Sequence, residues 1–147
     1  MSKNTTFVNQ RLYKGDFAGQ DLARADFRSS TLCEANFQGT NLRFARFDGA
    51  NCYGANFDGA DLYKTNFHQT VLAKCIFKPK EAFGVGFSMS CDTFENMQMS
   101  DIWFRKLLFL ISQINPDDME LKQKLIECVI GIENYEAFQR TLKRRVV

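Results

Sequence analysis

The sequence predicts an all-β solenoid that is followed by an α-helical C-terminal extension. Phe recurs at every tenth position from Phe7 to Phe87, and a second series, mostly Leu, recurs with the same spacing from Leu12 to Leu72. The two series interleave at five residues, a period that fits neither the 3.6 of a helix nor the 2.0 of a strand. The chain must therefore turn a corner about once every five residues. From about Ser100 the apolar spacing becomes helical instead.

Each large apolar residue has a recurrent set of neighbours. A small residue lies two positions before it and Asp or Asn lies one position before it, as in the run ADFRS STLCE ANFQG TNLRF. Glycine often lies two positions after it, where a corner needs a positive φ angle. These glycines are Gly19, Gly39, Gly49, Gly54 and Gly59.

The tandem A-(D/N)-(L/F)-x-x frames resemble the pentapeptide-repeat family. The resemblance covers fifteen frames, from 5–9 to 75–79, which is just over half of the chain. It implies a right-handed quadrilateral β-helix of about four to five coils, with four frames per coil and with the central and small residues pointing inward. Residues twenty apart then lie above one another, about 4.8 Å apart as in paired strands.

Four frames per coil sort the central residues into four columns. Two Phe columns face each other, and two mainly Leu columns lie between them. Phe87 and Met97 continue the two Phe columns by steps of twenty, which predicts a final irregular coil with 78–86 as a bulge or loop. The columns are Phe7, Phe27, Phe47, Phe67; Leu12, Leu32, Cys52, Leu72; Phe17, Phe37, Phe57, Phe77; and Leu22, Leu42, Leu62.

The sequence divides into a repeat domain, 1–100, and a helical segment, 101–147. We expect two to three helices, the first ending at Pro116 and the second near Gly131. An open β-helix end is a sheet edge, and proteins usually cover such edges, so the segment is expected to cap the last coil. The resemblance also implies a homodimer through the C-terminal end. The residues expected to form this cap or dimer contact are Trp103, Phe104, Leu107, Leu108 and Ile111.

Composition narrows the functional classes. The net charge of +2, from 19 basic and 17 acidic residues, does not suggest a nucleic-acid-binding arm. No apolar run approaches the roughly 18 residues of a membrane span, and the opening MSKNTTFVNQRLYKG lacks the apolar core of a signal peptide. The five cysteines form no CxxC pair. We therefore expect reduced thiols in a cytoplasmic protein, with no metal and no cofactor.

An enzyme is the least favoured class. The single histidine, His68, lies at an outward position whose column neighbours are Arg28 and Asp48. A His–Asp pair is conceivable there, but it has no evident nucleophile or oxyanion donors, so a surface ion pair is the favoured interpretation. Cys33 is expected to be an exposed thiol without a neighbouring base. No catalytic residue is assigned.

The outward positions after the Leu22 column predict a basic and aromatic patch. Aromatic residues and Arg are enriched at protein interfaces, which favours a protein partner of unknown identity. Direct nucleic-acid binding is disfavoured, because a flat face has no element that enters a groove. The alternative is that Phe44 merely covers a neighbouring corner. The candidate residues are Arg24, Arg43, Phe44, Tyr63 and Lys64.

The family resemblance adds a rival function, since some members mimic DNA and modulate a type II topoisomerase, DNA gyrase. Such mimicry requires a strongly acidic surface. Residues 1–80 hold 11 basic and 7 acidic side chains, a net charge of +4. The sequence therefore favours a non-catalytic protein-binding module or scaffold over a DNA mimic.

Overall fold

The fold is that of a computed structural model, which describes residues 5–87 and 97–99. Four short strands lie at its C-terminal end: β1 (Asn66–Phe67), β2 (Ile76–Phe77), β3 (Gly86–Phe87) and β4 (Gln98–Met99). β1 pairs with β3 and β2 pairs with β4, both in parallel. Earlier coils are joined by isolated parallel bridges.

These bridges define four sides of a solenoid. Thr6 pairs with Asp26, and the same offset of twenty residues holds for the ladders that start at Arg11, Asp16 and Asp21. One coil therefore takes twenty residues and turns four corners, as the repeat predicts. We number the sides by their columns of central residues: side 1 begins with Phe7, side 2 with Leu12, side 3 with Phe17 and side 4 with Leu22.

After the first coil, every backbone amide in a frame with Asp or Asn before the central residue can find a partner, as the frame around Phe27 illustrates. In the frame around Phe27, the N–H groups of Phe27 and Ser29 donate to the next coil, and that of Asp26 donates to the preceding coil. The Ala25 N–H closes a corner turn, and the Arg28 N–H donates to the Asp26 carboxylate at 3.1 Å. This last bond explains why Asp or Asn precedes the central residue: its side chain satisfies the one amide that no coil reaches.

The corners have the backbone geometry that the glycine spacing predicts. The second residue after the central one has a positive φ, as at Gly59 (φ 66°). Position 79 departs from the series because Pro79 is locked near φ −65° and cannot adopt that conformation. The corner after β2 is accordingly irregular over 78–80, and the chain resumes its register when Glu81 bridges Asp61.

The two Phe columns are confirmed. On side 1 the rings of Phe27 and Phe47 stack with centroids 4.8 Å apart. On side 3 the rings of Phe37 and Phe57 stack with centroids 5.1 Å apart. The opposed columns meet edge to face across the interior, as between Phe37 and Phe47 at 5.5 Å. Offset stacked and edge-to-face contacts are the favourable aromatic arrangements, so the core is a continuous aromatic lattice.

Small residues close the core at the inward positions before each central residue. Ala35, Ala45 and Ala55 are fully buried. Where Thr takes this position its hydroxyl donates to a backbone carbonyl of the preceding coil, as Thr65 Oγ1 does to Leu42 O at 2.8 Å, whereas the Ser30 hydroxyl donates to Phe27 O of its own coil. Among the described residues, no buried side-chain nitrogen or oxygen lacks a hydrogen-bond partner. Polar groups therefore enter this narrow core only with their bonds satisfied.

Two expectations for the C-terminal coil are wrong. Residues 78–86 do not form one bulge or loop, since the parallel register of twenty holds at Glu81 and again where Phe87 pairs with Phe67. Phe77 pairs with Met99 rather than Met97, so the segment leading into β4 is two residues longer than a regular coil. Met97 is still buried in the core. The repeat period stops specifying the register once the small-polar-large frame is lost.

Residues 5–84 form four coils, and 85–87 and 97–99 contribute to a fifth. The predicted helices of 101–147 lie outside the described residues. The cap and dimer residues Trp103, Phe104, Leu107, Leu108 and Ile111 therefore remain a prediction.

Candidate functional site

Aromatic and cationic side chains line one corner edge of the solenoid, where the chain leaves side 4. We call this set the aromatic ridge. The repeat places it there because the two residues after each side 4 residue point outward and recur every twenty positions. The ridge consists of Arg24, Arg43, Phe44, Tyr63, Lys64 and Phe83.

The rings of the ridge contact one another from coil to coil. The Phe44 ring meets the Tyr63 ring edge-on at 5.5 Å, and the Tyr63 ring stacks on the Phe83 ring at 5.8 Å. Phe44 is 38% exposed and Phe83 is 65% exposed. Because these exposed rings also contact one another, they form one contiguous apolar surface rather than isolated surface residues.

Cations lie over these rings. The Arg43 guanidinium carbon is 4.4 Å from the Tyr63 ring centroid, and that of Arg24 is 5.0 Å from the Phe44 centroid. The Lys64 ammonium lies 5.5 Å from Tyr63 and 5.9 Å from Phe44. Such cation–π contacts contribute about 0.5–1 kcal/mol at exposed sites and hold the charges beside the rings.

The ridge carries excess positive charge. Arg43 pairs with the Asp61 carboxylate at 3.3 Å. Within the described part of the chain, Arg24 and Lys64 form no ion pair with a carboxylate. These two cations are therefore available to a negatively charged partner that also covers the exposed rings.

The backbone at Phe44 adopts an unusual conformation for its residue type. Its φ is 59°, in the left-handed region where a bulky side chain is rarely found. The equivalent corner position one coil earlier is Arg24, and two coils later it is Gly84, where glycine meets the same requirement without strain. Phe44 thus occupies a position whose backbone favours glycine or a small polar residue.

The sequence analysis missed Phe83. The available signal was its spacing, since Phe83 lies twenty residues after Tyr63 at the same outward position. The segment was instead interpreted as part of a loop. Because the register of side 4 continues through Glu81, Phe83 joins the ridge as its most exposed ring.

The opposite corner edge, after side 2, has a different character. The Tyr13 hydroxyl donates to Glu34 at 3.1 Å, and Lys14 pairs with the same carboxylate at 3.4 Å. The ammonium of Lys74 lies 5.4 Å from the Tyr53 ring centroid. Aromatic residues therefore occur at both edges, but of these two edges, as far as the described residues extend, the aromatic ridge alone has ring-to-ring contacts between coils.

A family model for pentapeptide repeats matches residues 11–47 and 40–78, with eight copies of the repeat. The matched residues coincide with the coils whose bridges keep a register of twenty. The matched segment, residues 11–78, belongs to the pentapeptide-repeat family. Proteins of this family fold as right-handed quadrilateral β-helices, and the four bridge ladders are the sides of that helix.

Several solved structures resemble the chain, among them those of two pentapeptide-repeat proteins. One from the thylakoid lumen of Arabidopsis thaliana is 29% identical, over 69% of this chain and 76% of that one, with a TM-score of 0.49. Rfr23 from the cyanobacterium Cyanothece 51142 is 22% identical, over 66% and 62%, with a TM-score of 0.28. QnrB1, a plasmid-mediated fluoroquinolone resistance protein, is 14% identical, over 74% and 73%, with a TM-score of 0.29. No curated protein matches the chain.

Pentapeptide-repeat proteins are generally non-enzymatic structural or binding modules. In this member the conceivable His68–Asp48 pair is not formed. The Asp48 carboxylate accepts from Asn66 at 2.9 Å and from Arg46 at 3.3 Å, and no hydrogen bond joins it to His68 in the described residues. The carboxylate of Asp26 binds Arg28, which lowers the pKa of Asp26.

The cysteines of the described repeats are free thiols. Cys33 is half-buried, and its Sγ lies 3.9 Å from the Asn51 carbonyl oxygen, so it is less exposed than the sequence suggested. Burial raises the pKa of Cys75 to about 12 and also raises the pKa of Cys52, which disfavours both thiolates. Within the described ranges, no group of three or more metal-ligating side chains comes together, and no helix is long and apolar enough to cross a membrane.

Proposed function

We propose that this pentapeptide-repeat protein is a non-catalytic binding module that presents the aromatic ridge to a protein partner. The supporting observation is the continuous contact of Phe44, Tyr63 and Phe83 along one edge, with Arg24 and Lys64 beside them. Exposed aromatic anchors flanked by Arg are typical of the residues that contribute most to protein interfaces.

A protein partner fits the ridge better than single-stranded nucleic acid does. Nucleic-acid grooves combine stacking rings with a basic track that follows several phosphates. On the ridge, Arg43 is neutralised by Asp61, and the Tyr63 ring is covered by Phe83 on one side and by cations on another. The ridge therefore exposes mainly the edges of its aromatic rings and the face of one ring. Such a surface suits the side chains of a folded protein partner.

The proposed function is tested by affinity capture with three forms of the protein: the wild type, Phe44→Ala/Tyr63→Ala and Tyr13→Ala/Tyr53→Ala. The last is a matched control, because it removes two aromatic residues from the opposite edge. We expect one captured protein that is retained by the wild type and the control and lost with the ridge variant. Binding of the purified partner, measured by calorimetry, should weaken about 100-fold or more in the ridge variant.

The same experiment can also contradict the proposed function. If all three forms capture the same proteins, the ridge is not the binding surface. If the captured species is RNA or DNA, removed by nuclease treatment, the protein-partner proposal is wrong. Circular dichroism melts of the variants must first show that both remain folded.

Modulation of a type II topoisomerase remains the rival proposal. The basic side chains of the ridge oppose it, because a phosphate mimic needs acidic groups at regular spacing. A supercoiling assay with DNA gyrase at micromolar protein tests it directly. Inhibition of supercoiling, or protection from a fluoroquinolone, would replace the proposal made here.

We further propose that the protein acts in the cytoplasm, and that the segment 101–147 caps the last coil and offers a homodimer contact through its helices. The support is sequence pattern alone, namely the apolar residues Trp103, Phe104, Leu107, Leu108 and Ile111. Light scattering of the protein with and without Leu107→Glu/Ile111→Glu tests the dimer contact.

A further inference from the structure

The first described coil presents a sheet edge on the side that faces away from the following coils. In later coils the residue before the central one directs both its N–H and its C=O to the preceding coil, as Asp26 does toward Thr5 and Phe7. The corresponding residues of the first coil are Thr6, Arg11, Asp16 and Asp21, one on each side. Their N–H groups have no acceptor among the described residues. The edge therefore offers one unpaired amide on each of four sides.

The carbonyl groups of these residues face the same way. Those of Thr6, Arg11 and Asp21 accept no hydrogen bond in the described residues, and that of Asp16 accepts from the Gln20 side-chain amide at 3.1 Å, which leaves a second lone pair. A residue that presents N–H and C=O to one side pairs with a parallel strand in the later coils, and the same two groups can exchange both bonds with one residue of an antiparallel strand. Each side of the edge can thus pair with an antiparallel strand.

Apolar surface is also open at this end. Phe7 and Leu12 are only half-buried, whereas Phe27 and Leu32, one coil higher in the same columns, are fully buried. The next coil covers Phe7 and Leu12 from one side only, whereas Phe17 and Leu22, further along the same coil, are already buried. A partner that continues the stack would also bury Phe7 and Leu12.

We propose that the N-terminal edge of the solenoid binds the N-terminal edge of a second copy of the same chain, in a two-fold symmetric, coaxial dimer. A two-fold axis perpendicular to the long axis of the solenoid makes the second chain run around that axis in the opposite direction to the first. All four sides then meet as antiparallel pairs, which is a geometry that the edge residues allow.

Charge selects one orientation of this axis. The four sides follow one another around the coil. A two-fold axis through the corner between sides 2 and 3 therefore places side 2 of one copy against side 3 of the other, and side 1 against side 4. Arg11 then meets Asp16 of the second copy, and Thr6 meets Asp21 of the second copy, each twice. Of these four residues Arg11, Asp16 and Asp21 are charged, and each of the other three axes places at least one Asp against an Asp of the second copy.

The side chains concerned are available for these contacts. Arg11, Asp16 and Asp21 are exposed. Arg11 has no carboxylate partner in the described part of the chain. Asp16 and Asp21 each accept from the Asn of the next coil and from a corner amide through Oδ1, which leaves Oδ2 without a hydrogen bond in the described residues. Opposite charges directly across a strand pair are stabilising, and like charges are destabilising.

The test is a charge swap in the full-length protein, read by sedimentation velocity at low salt. Arg11→Asp alone and Asp16→Arg alone each create two repulsive pairs in the dimer. We expect the dissociation constant of self-association to rise by about tenfold or more in each. An equimolar mixture of the two variants restores both attractive pairs and should associate as the wild type does, as should the double variant. Asn51→Asp, in the column of Arg11 but two coils from the edge, is the matched control and should change nothing.

Several outcomes overturn the proposal. A wild-type protein that stays monomeric at about 100 μM, a concentration at which even weak dimers form, excludes the contact. If the single variants associate as the wild type does, self-association occurs through another surface, such as the C-terminal segment. Failure of the mixture to recover association, when both variants melt as the wild type does, excludes the Arg11–Asp16 pairing.

Discussion

The ring of Phe37 lies parallel to the ring of Phe57 one coil away, with an interplanar angle of 5° and centroids 5.1 Å apart. The same ring meets Phe27 and Phe47 of the opposed column edge-on, each at 5.5 Å. A single side chain therefore ties two sides of the solenoid and adjacent coils together. The stability of the helix should depend on such rings far more than on its surface residues.

Truncation of this ring is the most direct test of the aromatic lattice. Phe37→Ala should lower the free energy of unfolding by about 3–5 kcal/mol, because it removes a fully buried ring and leaves a cavity. Denaturant titration followed by circular dichroism measures the loss. Phe87→Ala, at a half-buried position in the last described coil, should cost clearly less. Superimposable curves for Phe37→Ala and the wild type would contradict the packing.

The backbone of Phe44 leads to an unusual order of stabilities. Because φ is 59° there, Phe44→Gly should be more stable than Phe44→Ala by about 1 kcal/mol, since only glycine adopts this conformation without cost. Tyr63 precedes an identical corner position and has no positive φ, so the order should reverse there, with Tyr63→Ala more stable than Tyr63→Gly. Thermal melts of the four variants decide both comparisons. The same order at both positions would be incompatible with the corner geometry.

Buried hydroxyl groups should contribute through their hydrogen bonds. Thr65→Val keeps the volume of the side chain but removes the bond from Oγ1 to Leu42 O, so it should cost about 1 kcal/mol. Thr31→Val, at an exposed outward position, should change stability by less than about 0.5 kcal/mol. Chemical denaturation of both variants gives the comparison. Equal effects would mean that the buried bond makes no net contribution.

The cysteines should differ in reactivity. In a variant with Cys91→Ser and Cys128→Ser, a thiol reagent at neutral pH should modify Cys33 in the native protein and reach Cys52 and Cys75 only on unfolding. Mass spectrometry of the labelled protein identifies the sites. Rapid modification of Cys75 under native conditions would mean that its burial is incorrect.

The raised thiol pKa also predicts a pH dependence. The folded-state pKa of Cys75 is about 12, compared with an ordinary value of 9.0. Above pH 9 the unfolded thiol loses its proton while the folded thiol keeps it, so the unfolded state binds fewer protons and stability falls as the pH rises toward 12. Cys75→Ala should reduce this alkaline loss. An equally steep fall in the variant would assign the loss to other groups.

Much of the fold could be predicted from the sequence because the repeat is short and regular. The spacing of Phe and Leu placed the columns, and the glycines marked the corners. The corner after Phe77 and the pairing of Phe77 with Met99 could not be predicted in this way. There the frame is lost, and the path depends on Pro79 and on contacts between coils rather than on period.

The amino-acid sequence by itself determined which side chains face inward, because a five-residue period with four corners per coil leaves each position one orientation. It also placed Arg24, Phe44 and Lys64 in one outward column. Only the tertiary structure decided that Phe83 joins their edge and that Arg43 is held between Tyr63 and Asp61. Those contacts join residues about twenty positions apart, and their distances depend on how successive coils align, which no local pattern specifies.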